Sequence, residues 1–276
     1  MDQLSALLDL IDSAFPLPGR FRAGLPADVA ALSRLLTSER GDRDDGYLGK
    51  AAELSAYLRY FLPWNVYRLC RLLPSLNLPL LDGDAVTDIG SGPLTFPIAL
   101  WLARPDLRTR RLEIRCLDRT GKALETGHTL FAALTGADCP WTVRTIRGSF
   151  GTRIEGEPAA LVCAVNVLNE IFWDERQTLE EQSERKAGLL AAMARPDGRV
   201  LIVEPGVPRS GAFISALRAA FLDQGRPPEA PCPHAGACPL PGGRRGASWC
   251  TPASDWPPAK MGNGVGSGFR NRNRGF

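Results

Sequence analysis

The sequence predicts an α/β protein in which a parallel sheet carries helices on both faces and follows a helical N-terminal region. From residue 85 onward, five short β-rich runs alternate with helical stretches, which is the pattern of successive βαβ units. Residues 1–80 instead place apolar side chains at helical spacing, as amphipathic helices do. A glycine-containing turn directly after the first β-rich run indicates where such a sheet would bind a ligand.

The composition is that of a folded globular protein. Of the 276 residues, 44% are hydrophobic and 23% are charged, which excludes a fibrous or disordered chain. The length predicts one main domain with an appendage. The net charge is only +3, so no global basic field points to nucleic acid. The first residues match no secretory or transit signal, and no apolar run approaches the ~18 residues of a membrane span. We therefore expect a cytoplasmic protein without a membrane partner.

The N-terminal region, residues 1–80, reads as helices punctuated by prolines. Apolar residues recur at helical spacing in two places, at Leu4, Leu7, Leu8 and Ile11 and again at Leu54, Tyr57, Leu58 and Phe61. The segment 47–73 is rich in aromatic residues and arginines along its helix faces. Two interpretations stay open for this stripe, packing on the neighbouring domain or contact with RNA.

The five β-rich runs define the predicted α/β domain, residues 81–228. They are AVTDIG at 85–90, LEIRCLD at 112–118, WTVRTIRG at 141–148, AALVCAVNV at 159–167 and GRVLIVEPG at 198–206. The helical stretches between and after them are LTFPIALWLA, TGKALETGHTLFAAL, ERQTLEEQSERKAGLLAAMA and SGAFISALRAAFLDQG. Because parallel strands bind ligands at their carboxyl ends, the candidate residues are those just after each run.

The first run ends in a glycine loop. Gly90 and Gly92 permit a tight turn and a close approach of the backbone to a ligand. The loop is not a dinucleotide fingerprint, because no glycine stands three residues after Gly92, where the sequence has Thr95 followed by Phe96. No Gly-Lys-Ser/Thr of a P-loop follows either. A carboxylate at Asp88 would repel a pyrophosphate and suits a cationic amino-acid group, which points to S-adenosylmethionine. The predicted cofactor-binding residues of this loop are Asp88, Gly90, Ser91, Gly92 and Pro93.

Two further cofactor-binding residues are predicted at strand ends. Asp118 closes the second run, where it would accept hydrogen bonds from both ribose hydroxyls. Asn166 follows the fourth run and would face the methyl donor, and the loop at 148–150 would edge the adenine. In the alternative interpretation, Asp88 and Asp118 simply cap the helices that follow them.

These segments together resemble a class I S-adenosylmethionine-dependent methyltransferase. The resemblance rests on DIGSGP, the acid-tipped LEIRCLD, NVLNEI at 166–171 and VEPG at 203–206. With AYLRYFLPWNVYRL before them and APCPHAGACPL plus the WC pair after them, the chain resembles more narrowly the methyltransferase-like family of small-ribosomal-subunit proteins, found in mitochondria and bacteria. The resemblance covers residues 45 to 250.

The resemblance implies a Rossmann-like methyltransferase fold and a bacterial protein that engages the small ribosomal subunit or its rRNA during assembly. It places S-adenosylmethionine on Asp88, Gly90, Gly92 and Asp118. The role is either methylation of rRNA or that of a non-catalytic assembly factor. A third interpretation is a small-molecule methyltransferase with residues 1–80 as a lid. The sequence leaves the oligomeric state open.

No catalytic base is assigned. Asn169 and Glu170 follow the fourth run, where base-methylating enzymes place substrate-orienting groups, but they are equally well ordinary helix-start residues. His128 falls on a helix face away from the strand ends, so we expect no catalytic role for it.

The proline- and glycine-rich segment 229–250 is a predicted metal-binding loop. It contains Cys232, Cys238 and Cys250, with His234 between the first two, and thiolates gathered in an irregular loop suggest a metal. Zinc accepts three cysteines and a histidine, whereas iron–sulfur clusters usually take four cysteines. The family resemblance implies a 4Fe-4S cluster on these three cysteines, with no matching fourth ligand. The cysteines of the β-rich and helical runs are expected in the core, at Cys70, Cys116 and Cys163.

Residues 251–276 read as an irregular basic tail. Residues 241–276 hold six basic side chains and one acid, and they lack the period-2 alternation of strands. Since the resemblance predicts the last strands of the sheet here, we expect a frameshifted or truncated end in which those strands are missing. The alternative is a tail that binds single-stranded nucleic acid loosely.

Overall fold

The computed structural model describes residues 2–37, 46–171, 176–232 and 235–236 of the chain. Within these ranges five strands form one sheet: β1 (Ala85–Ile89), β2 (Glu113–Asp118), β3 (Thr142–Arg147), β4 (Ala159–Val165) and β5 (Ala194–Val203). Their order is β3-β2-β1-β4-β5, and every neighbouring pair is parallel. The predicted parallel sheet is confirmed. The chain reverses its direction of travel across the sheet at β1, which makes the carboxyl end of this strand the place for a ligand.

The N-terminal region is helical, as predicted. Its helices are α1 (Asp2–Ala14), α2 (Gly19–Arg22), α3 (Leu25–Thr37), α4 (Ala51–Ala56) and α5 (Leu62–Leu72). A π-helical segment, Tyr57–Phe61, joins α4 directly to α5. Pro63 lies in the first turn of α5, where a missing backbone N–H costs least. The aromatic stretch is therefore one continuous helical rod with a widened turn in its middle.

The remaining helices alternate with the strands. They are α6 (Thr95–Ala103), α7 (Gly121–Thr135), α8 (Leu168–Ile171), α9 (Leu179–Met193) and α10 (Pro208–Asp223). The start of α9 is fixed by a capping box: the backbone N–H of Glu181 donates to Thr178 Oγ1 at 3.2 Å, and Thr178 N–H donates to Glu181 Oε2 at 2.8 Å. Two orphan donors of the first turn are thereby satisfied.

Helices cover both faces of the sheet, as predicted. On one face α1, α5, α6 and α7 share a core with the strands, built from side chains such as Leu7, Leu62, Phe96, Ile114 and Leu130. On the other face α9 and α10 pack on the sheet through Val162, Leu190, Phe213 and Leu217. The N-terminal helices thus belong to the same core as one face of the sheet.

The buried cysteines follow the strands. Cys116 and Cys163 are fully buried within β2 and β4, whereas Cys70 on α5 is only half-buried. The expectation of core burial is confirmed for the two strand cysteines.

Strand β5 begins at Ala194, four residues before the predicted start at Gly198. Ala194 pairs with Ala159, and the register then shifts so that Arg199 pairs with Leu161. Gly198 lies inside this irregularity, where a Cβ would come within 2.8 Å of the Ala159 carbonyl oxygen. The glycine that marked the strand start is instead the residue that permits the bulge.

The described part of the sheet ends at β5, and the predicted loss of the last strands falls on residues outside the described ranges. The same holds for the basic tail, residues 251–276. The boundaries proposed at residues 80, 228 and 250 stay predictions. Within the described ranges, no helix combines the length and apolar character needed to cross a membrane.

Candidate cofactor site

The loop after β1 is shaped by its glycines and fastened to β2. Gly90 and Gly92 have φ values of +68° and +51°, in the left-handed region that favours glycine. The backbone N–H groups of Gly90 and Ser91 both donate to the Leu117 carbonyl oxygen, at 2.8 and 3.0 Å. Leu94 has a φ of 56° and directly precedes α6. This loop, residues 90–94, is called the glycine loop below.

Helix α7 packs directly on the glycine loop, and a glycine permits this. A Cβ at Gly127 would overlap the backbone of Pro93 and lie 2.7 Å from Leu94 N. No residue with a side chain fits there without moving the loop. Sequence reasoning missed Gly127, although an isolated glycine inside a helical pattern is a signal of close packing.

Asp88 is a buried carboxylate without a cationic partner in the described chain. Its side chain is 1% exposed, and its oxygens accept hydrogen bonds from Ser91 Oγ at 2.5 Å and from Cys163 Sγ at 3.3 Å. Burial raises the pKa of Asp88 to about 7, against the opposite effect of these two hydrogen bonds, and the negative charge of Asp118 raises it further. The group is therefore poised between its neutral and ionised forms near neutral pH.

Asp118 holds the glycine loop against the start of α7. Its Oδ2 accepts the backbone N–H of Gly92 at 2.8 Å, and its Oδ1 accepts that of Thr120 at 2.8 Å. Burial raises the pKa of this carboxyl above its usual value, while the two backbone bonds act to lower it. Asp118 thus connects the loop after β1 to the residue before α7. The N-cap of α7, Thr120, makes no side-chain capping bond, and the alternative of a capping role for Asp118 stays a prediction.

A cleft opens beside the glycine loop at the carboxyl end of β1. Its cavity volume is only about 10 Å³, far below the ~300 to 1,000 Å³ of typical small-molecule sites. Of the predicted cofactor-binding residues, four line this cleft: Asp88, Gly90, Ser91 and Asn166. The other three, Gly92, Pro93 and Asp118, belong to the loop and to the contact that fastens it. Their roles in cofactor binding stay predictions.

Two cleft residues come from the N-terminal region and were missed by sequence reasoning. Tyr57, the first residue of the π-helical segment, and Asn65 on α5 line the cleft opposite Asp88. Burial raises the pKa of the Tyr57 hydroxyl to about 12, against the opposite effect of the neighbouring Thr95 and Asn65 side chains. The aromatic stripe was the available signal, but its helix period did not show which aromatic faces inward. Such π-helical turns are frequent at functional sites.

Arg59 anchors the π-helical segment to α1. Its guanidinium donates to Asp12 Oδ1 at 3.1 Å and to the Phe15 carbonyl oxygen. This anchor fixes the rotation of the segment that carries Tyr57.

The turn after β4 brings a residue over the glycine loop. Asn166 has a φ of 55°, which asparagine tolerates better than most residues, and its N–H donates to the Val203 carbonyl oxygen at 2.8 Å. The next side chain, Val167, lies over Gly90, so that a Cβ at Gly90 would be 2.5 Å from Val167 Cβ. Asn166 lines the cleft, and Val167 narrows it. The role of Asn166 in facing the methyl donor stays a prediction.

Glu204, at the end of β5, holds the start of α8. Its carboxylate accepts hydrogen bonds from Leu168 N at 2.8 Å, Asn169 N at 3.1 Å and Asn169 Nδ2 at 2.6 Å. Burial raises the pKa of Glu204. Asn169 is buried and does not line the cleft, so its contacts are those of a helix-start residue. Sequence reasoning used VEPG as a motif but assigned no role to Glu204.

Two minor predictions concern the surroundings. The loop at 148–150 lies next to Asp118, since Gly148 N donates to the Asp118 carbonyl oxygen at 2.9 Å. His128 is exposed on α7, away from the cleft lining.

A larger cavity lies at the opposite end of the strands, lined by residues that include Leu78, Arg195 and Arg199. Both arginines are paired, Arg195 with Asp84 and Arg199 with Glu229, each at 2.6 Å. Because ligands of parallel sheets bind at the carboxyl ends, this cavity is not the candidate site.

Of the three predicted metal ligands, Cys232 lies in the described chain, where it is half-buried. Cys238 and Cys250, like His234, lie outside the described residues. Among the residues that are described, no three potential ligands cluster to hold a metal ion. The metal site stays a prediction.

A parallel sheet in this order, with a glycine loop after β1 and acids closing β1 and β2, defines a Rossmann-like fold of the class I methyltransferase type. The family model for the mitochondrial small ribosomal subunit protein Rsm22 matches residues 51–256. The match covers most of the chain, and the chain belongs to this family.

Several solved structures are similar in part. S-adenosylmethionine-dependent methyltransferases in complex with S-adenosyl-L-homocysteine match from Geobacter sulfurreducens (20% identity, TM-score 0.38, 59% of this chain and 63% of that one) and Thiobacillus denitrificans (19%, 0.36, 54% and 53%). The mitomycin 7-O-methyltransferase MmcR matches at 17% identity and TM-score 0.44, over 71% of this chain and 55% of its own. The chain spans less than two thirds of the length of each. No curated protein matches it.

Proposed function

We propose that this chain is an S-adenosylmethionine-dependent, methyltransferase-like protein that acts on small-subunit rRNA or on its assembly particle. The chain belongs to a family whose description names the mitochondrial small ribosomal subunit, and this supports the link to that subunit. The observation that carries the cofactor assignment is Asp88, a buried carboxylate on the cleft wall whose contacts are with neutral groups.

The carboxylates at the cleft suit the amino group and the ribose hydroxyls of S-adenosylmethionine. A cationic amino group at the cleft would give Asp88 the opposite charge that a buried carboxylate requires. Asp118 accepts one backbone bond on each oxygen and keeps lone pairs for ribose hydroxyls. When bound, the cofactor would supply a methyl group activated by a sulfonium. The chain would orient the cofactor and exclude water from it. Phe96 and Val165 give the cleft apolar walls, and the glycine loop would hold the reacting group in place.

One observation favours a non-catalytic assembly factor as the second candidate. Val167 lies over Gly90, and the cleft has a cavity volume of only about 10 Å³. A cleft narrowed in this way would bind the cofactor weakly or only after the turn after β4 moves. The position of Tyr57 and Asn65 on the wall would also suit a small-molecule methyltransferase, for which indifference to RNA is the distinguishing result.

The deciding experiment is transfer of a labelled methyl group from S-adenosylmethionine to small-subunit particles from cells that lack this protein. Co-sedimentation is followed in the same samples. Label in the rRNA supports the enzyme, and co-sedimentation without label supports the assembly factor. If neither signal is seen, both are contradicted.

Calorimetry tests the cofactor assignment separately. Gly90→Leu should abolish S-adenosylmethionine binding, while Gly83→Leu, another positive-φ glycine with open space around it, should preserve it. Unchanged binding in Gly90→Leu would contradict the assignment.

We also propose that Cys232, Cys238 and Cys250 hold a 4Fe-4S cluster, with zinc as the alternative. Anaerobic purification should give a brown protein with labile sulfide for the cluster or a colourless zinc protein. Cys232→Ser should lose the metal, whereas Cys139→Ser, at another half-buried cysteine, should keep it. Absence of both iron and zinc from the full chain would contradict the site. A bacterial, cytoplasmic location belongs to the same proposal and is tested by cell fractionation.

A further inference from the structure

One face of the rod formed by the π-helical segment and α5 is turned away from the core. Tyr60 and Trp64 are 47% and 43% exposed, and Arg68 and Arg71 are exposed on the same rod. The spacings of four, four and three residues place all four side chains on one side of a helix. These four residues are called the Tyr60–Arg71 stripe.

The aromatic rings of the stripe are braced by their neighbours. Tyr60 meets Phe61 edge to face with ring centroids 5.1 Å apart, and Trp64 meets Tyr67 in the same manner at 5.9 Å. Rings held from one side keep an open face without losing much conformational freedom, as a stacking platform requires.

The charged residues in this part of the sequence are all basic. The segment from Leu54 to Leu81 contains three arginines and no acid. Of these, Arg59 points inward to Asp12 at 3.1 Å, which leaves Arg68 and Arg71 as the outward cations. Exposed aromatic faces beside arginines match unpaired bases and the phosphates between them. The same residue types are enriched in protein interfaces, so the proposed function decides between the two partners.

The stripe is adjacent to the candidate cofactor site. Asn65, next to Trp64 in the chain, and Tyr57, three residues before Tyr60, both line the cleft. The stripe and part of the cleft wall are therefore carried by one helical rod.

We propose that the Tyr60–Arg71 stripe binds single-stranded RNA, with bases stacked on Tyr60 and Trp64 and phosphates contacted by Arg68 and Arg71. The choice of RNA as the ligand rests on the proposed function. The inference goes beyond that function by naming the surface that binds the RNA and by requiring the RNA to be unpaired.

The test is fluorescence anisotropy of the full chain with a labelled single-stranded RNA of ten nucleotides, and with the same sequence as a duplex. We expect tighter binding of the single strand. Because stacking on one aromatic ring is worth about tenfold in affinity or more, Tyr60→Ala and Trp64→Ala should each weaken the single-strand complex by about that factor. Arg68→Gln and Arg71→Gln should each reduce the slope of log affinity against log salt by ~0.7.

The matched controls lie at the other end of the strands. Leu81→Ala removes an exposed apolar side chain, 58% exposed, and Arg111→Gln removes an exposed arginine. Both variants should bind the RNA as the unchanged chain does. Circular dichroism confirms that each variant is folded.

Calorimetry with S-adenosylmethionine separates this proposal from the proposed function, because the stripe variants should bind the cofactor normally. Loss of RNA binding in Trp64→Ala with no cofactor binding in any chain would support the stripe and contradict the cofactor. Equal RNA affinity in Tyr60→Ala, Trp64→Ala and Leu81→Ala, or equal affinity for duplex and single strand, would overturn the stripe.

Discussion

The glycine loop after β1 and the turn after β4 lie side by side at the carboxyl end of the sheet, but they are held differently. The glycine loop is held largely through its backbone, with Gly90 and Ser91 donating to the Leu117 carbonyl oxygen and Gly92 donating to Asp118. The turn after β4 is held by a distant side chain, since Glu204 accepts three hydrogen bonds from the start of α8. The conformation of the glycine loop therefore requires glycines at positions where a Cβ would overlap other atoms. The conformation of the turn after β4 requires the carboxylate of Glu204.

The comparison predicts that side chains which overlap the glycine loop destabilise the fold. Gly127→Val should have the largest effect, because its side chain would occupy the backbone of Pro93 and Leu94. We expect a loss of about 5 kcal/mol in the free energy of unfolding, among the largest effects of single substitutions. Urea denaturation measures it.

The control for Gly127→Val is Gly188→Ala on α9. Gly188 has open space where a Cβ would lie, so alanine should be neutral or stabilise the helix by up to ~1 kcal/mol. A Gly127→Val chain as stable as the unchanged protein would show that α7 does not pack on the glycine loop as described.

The next effect comes from the buried carboxylate behind the loop. Burial raises the pKa of Asp88 from 3.8 to about 7. The folded state therefore keeps the proton more tightly than the unfolded state does. This group adds its full contribution to the free energy of unfolding below about pH 4, and the contribution is lost progressively as the pH rises to about 7. Above about pH 7 the titration of Asp88 no longer changes the stability. The loss amounts to roughly 4 kcal/mol if the whole shift is realised.

Asp88→Asn removes this titration, and urea denaturation between pH 4 and pH 8 detects it. The variant should gain stability relative to the unchanged chain as the pH rises from 4 to 7. Asp197→Asn is the control, since its carboxylate is exposed, with 76% of the side chain accessible. A difference between Asp88→Asn and the unchanged chain that does not vary with pH would contradict the buried, cation-free setting of Asp88.

The same contrast explains what the sequence predicted. The sheet, its flanking helices and the acids at the ends of β1 and β2 were predictable because alternation and strand-end residues are local signals. Asp88, Gly90, Ser91 and Asn166 line one cleft because the carboxyl ends of neighbouring parallel strands meet. Their proximity required only the order of the strands.

The residues that sequence reasoning missed act over distance. Glu204 is 35 residues from Asn169, and Gly127 contacts a loop more than 30 residues before it. Tyr57 reaches the cleft because a π-helical turn changes which side of the rod faces inward. Helix periodicity gives the existence of such a rod, but its rotation against α6 is decided by packing.

The turn after β4 should be destabilised by the loss of hydrogen bonds, with a smaller loss in the free energy of unfolding. Glu204→Ala leaves three donors at the start of α8 without their acceptor, which should cost about 2 kcal/mol. In a double-mutant cycle with Asn169→Ala, the coupling free energy should be ~1 kcal/mol, because the side chains of the two residues are joined by a 2.6 Å hydrogen bond. Additive effects in denaturation would mean that Glu204 does not hold Asn169. Glu229→Ala, an exposed acid paired with Arg199, should change stability much less.

The smallest effect tests the point at which the two regions meet, where Val167 lies over Gly90. Gly83→Ala and Gly90→Ala both place a side chain at positive φ, at +87° and +68°, but only at Gly90 does the new Cβ meet another residue within the described chain. Each should lose ~1 to 2 kcal/mol for the left-handed backbone, and Gly90→Ala should lose about 1 kcal/mol more for the overlap. The excess should disappear when Gly90→Ala is made in a Val167→Gly background, because only glycine removes the Val167 Cβ that would lie 2.5 Å from the new one. An excess that survives the removal of Val167 would place its cause in the backbone of the glycine loop itself, and the two regions would then be independent.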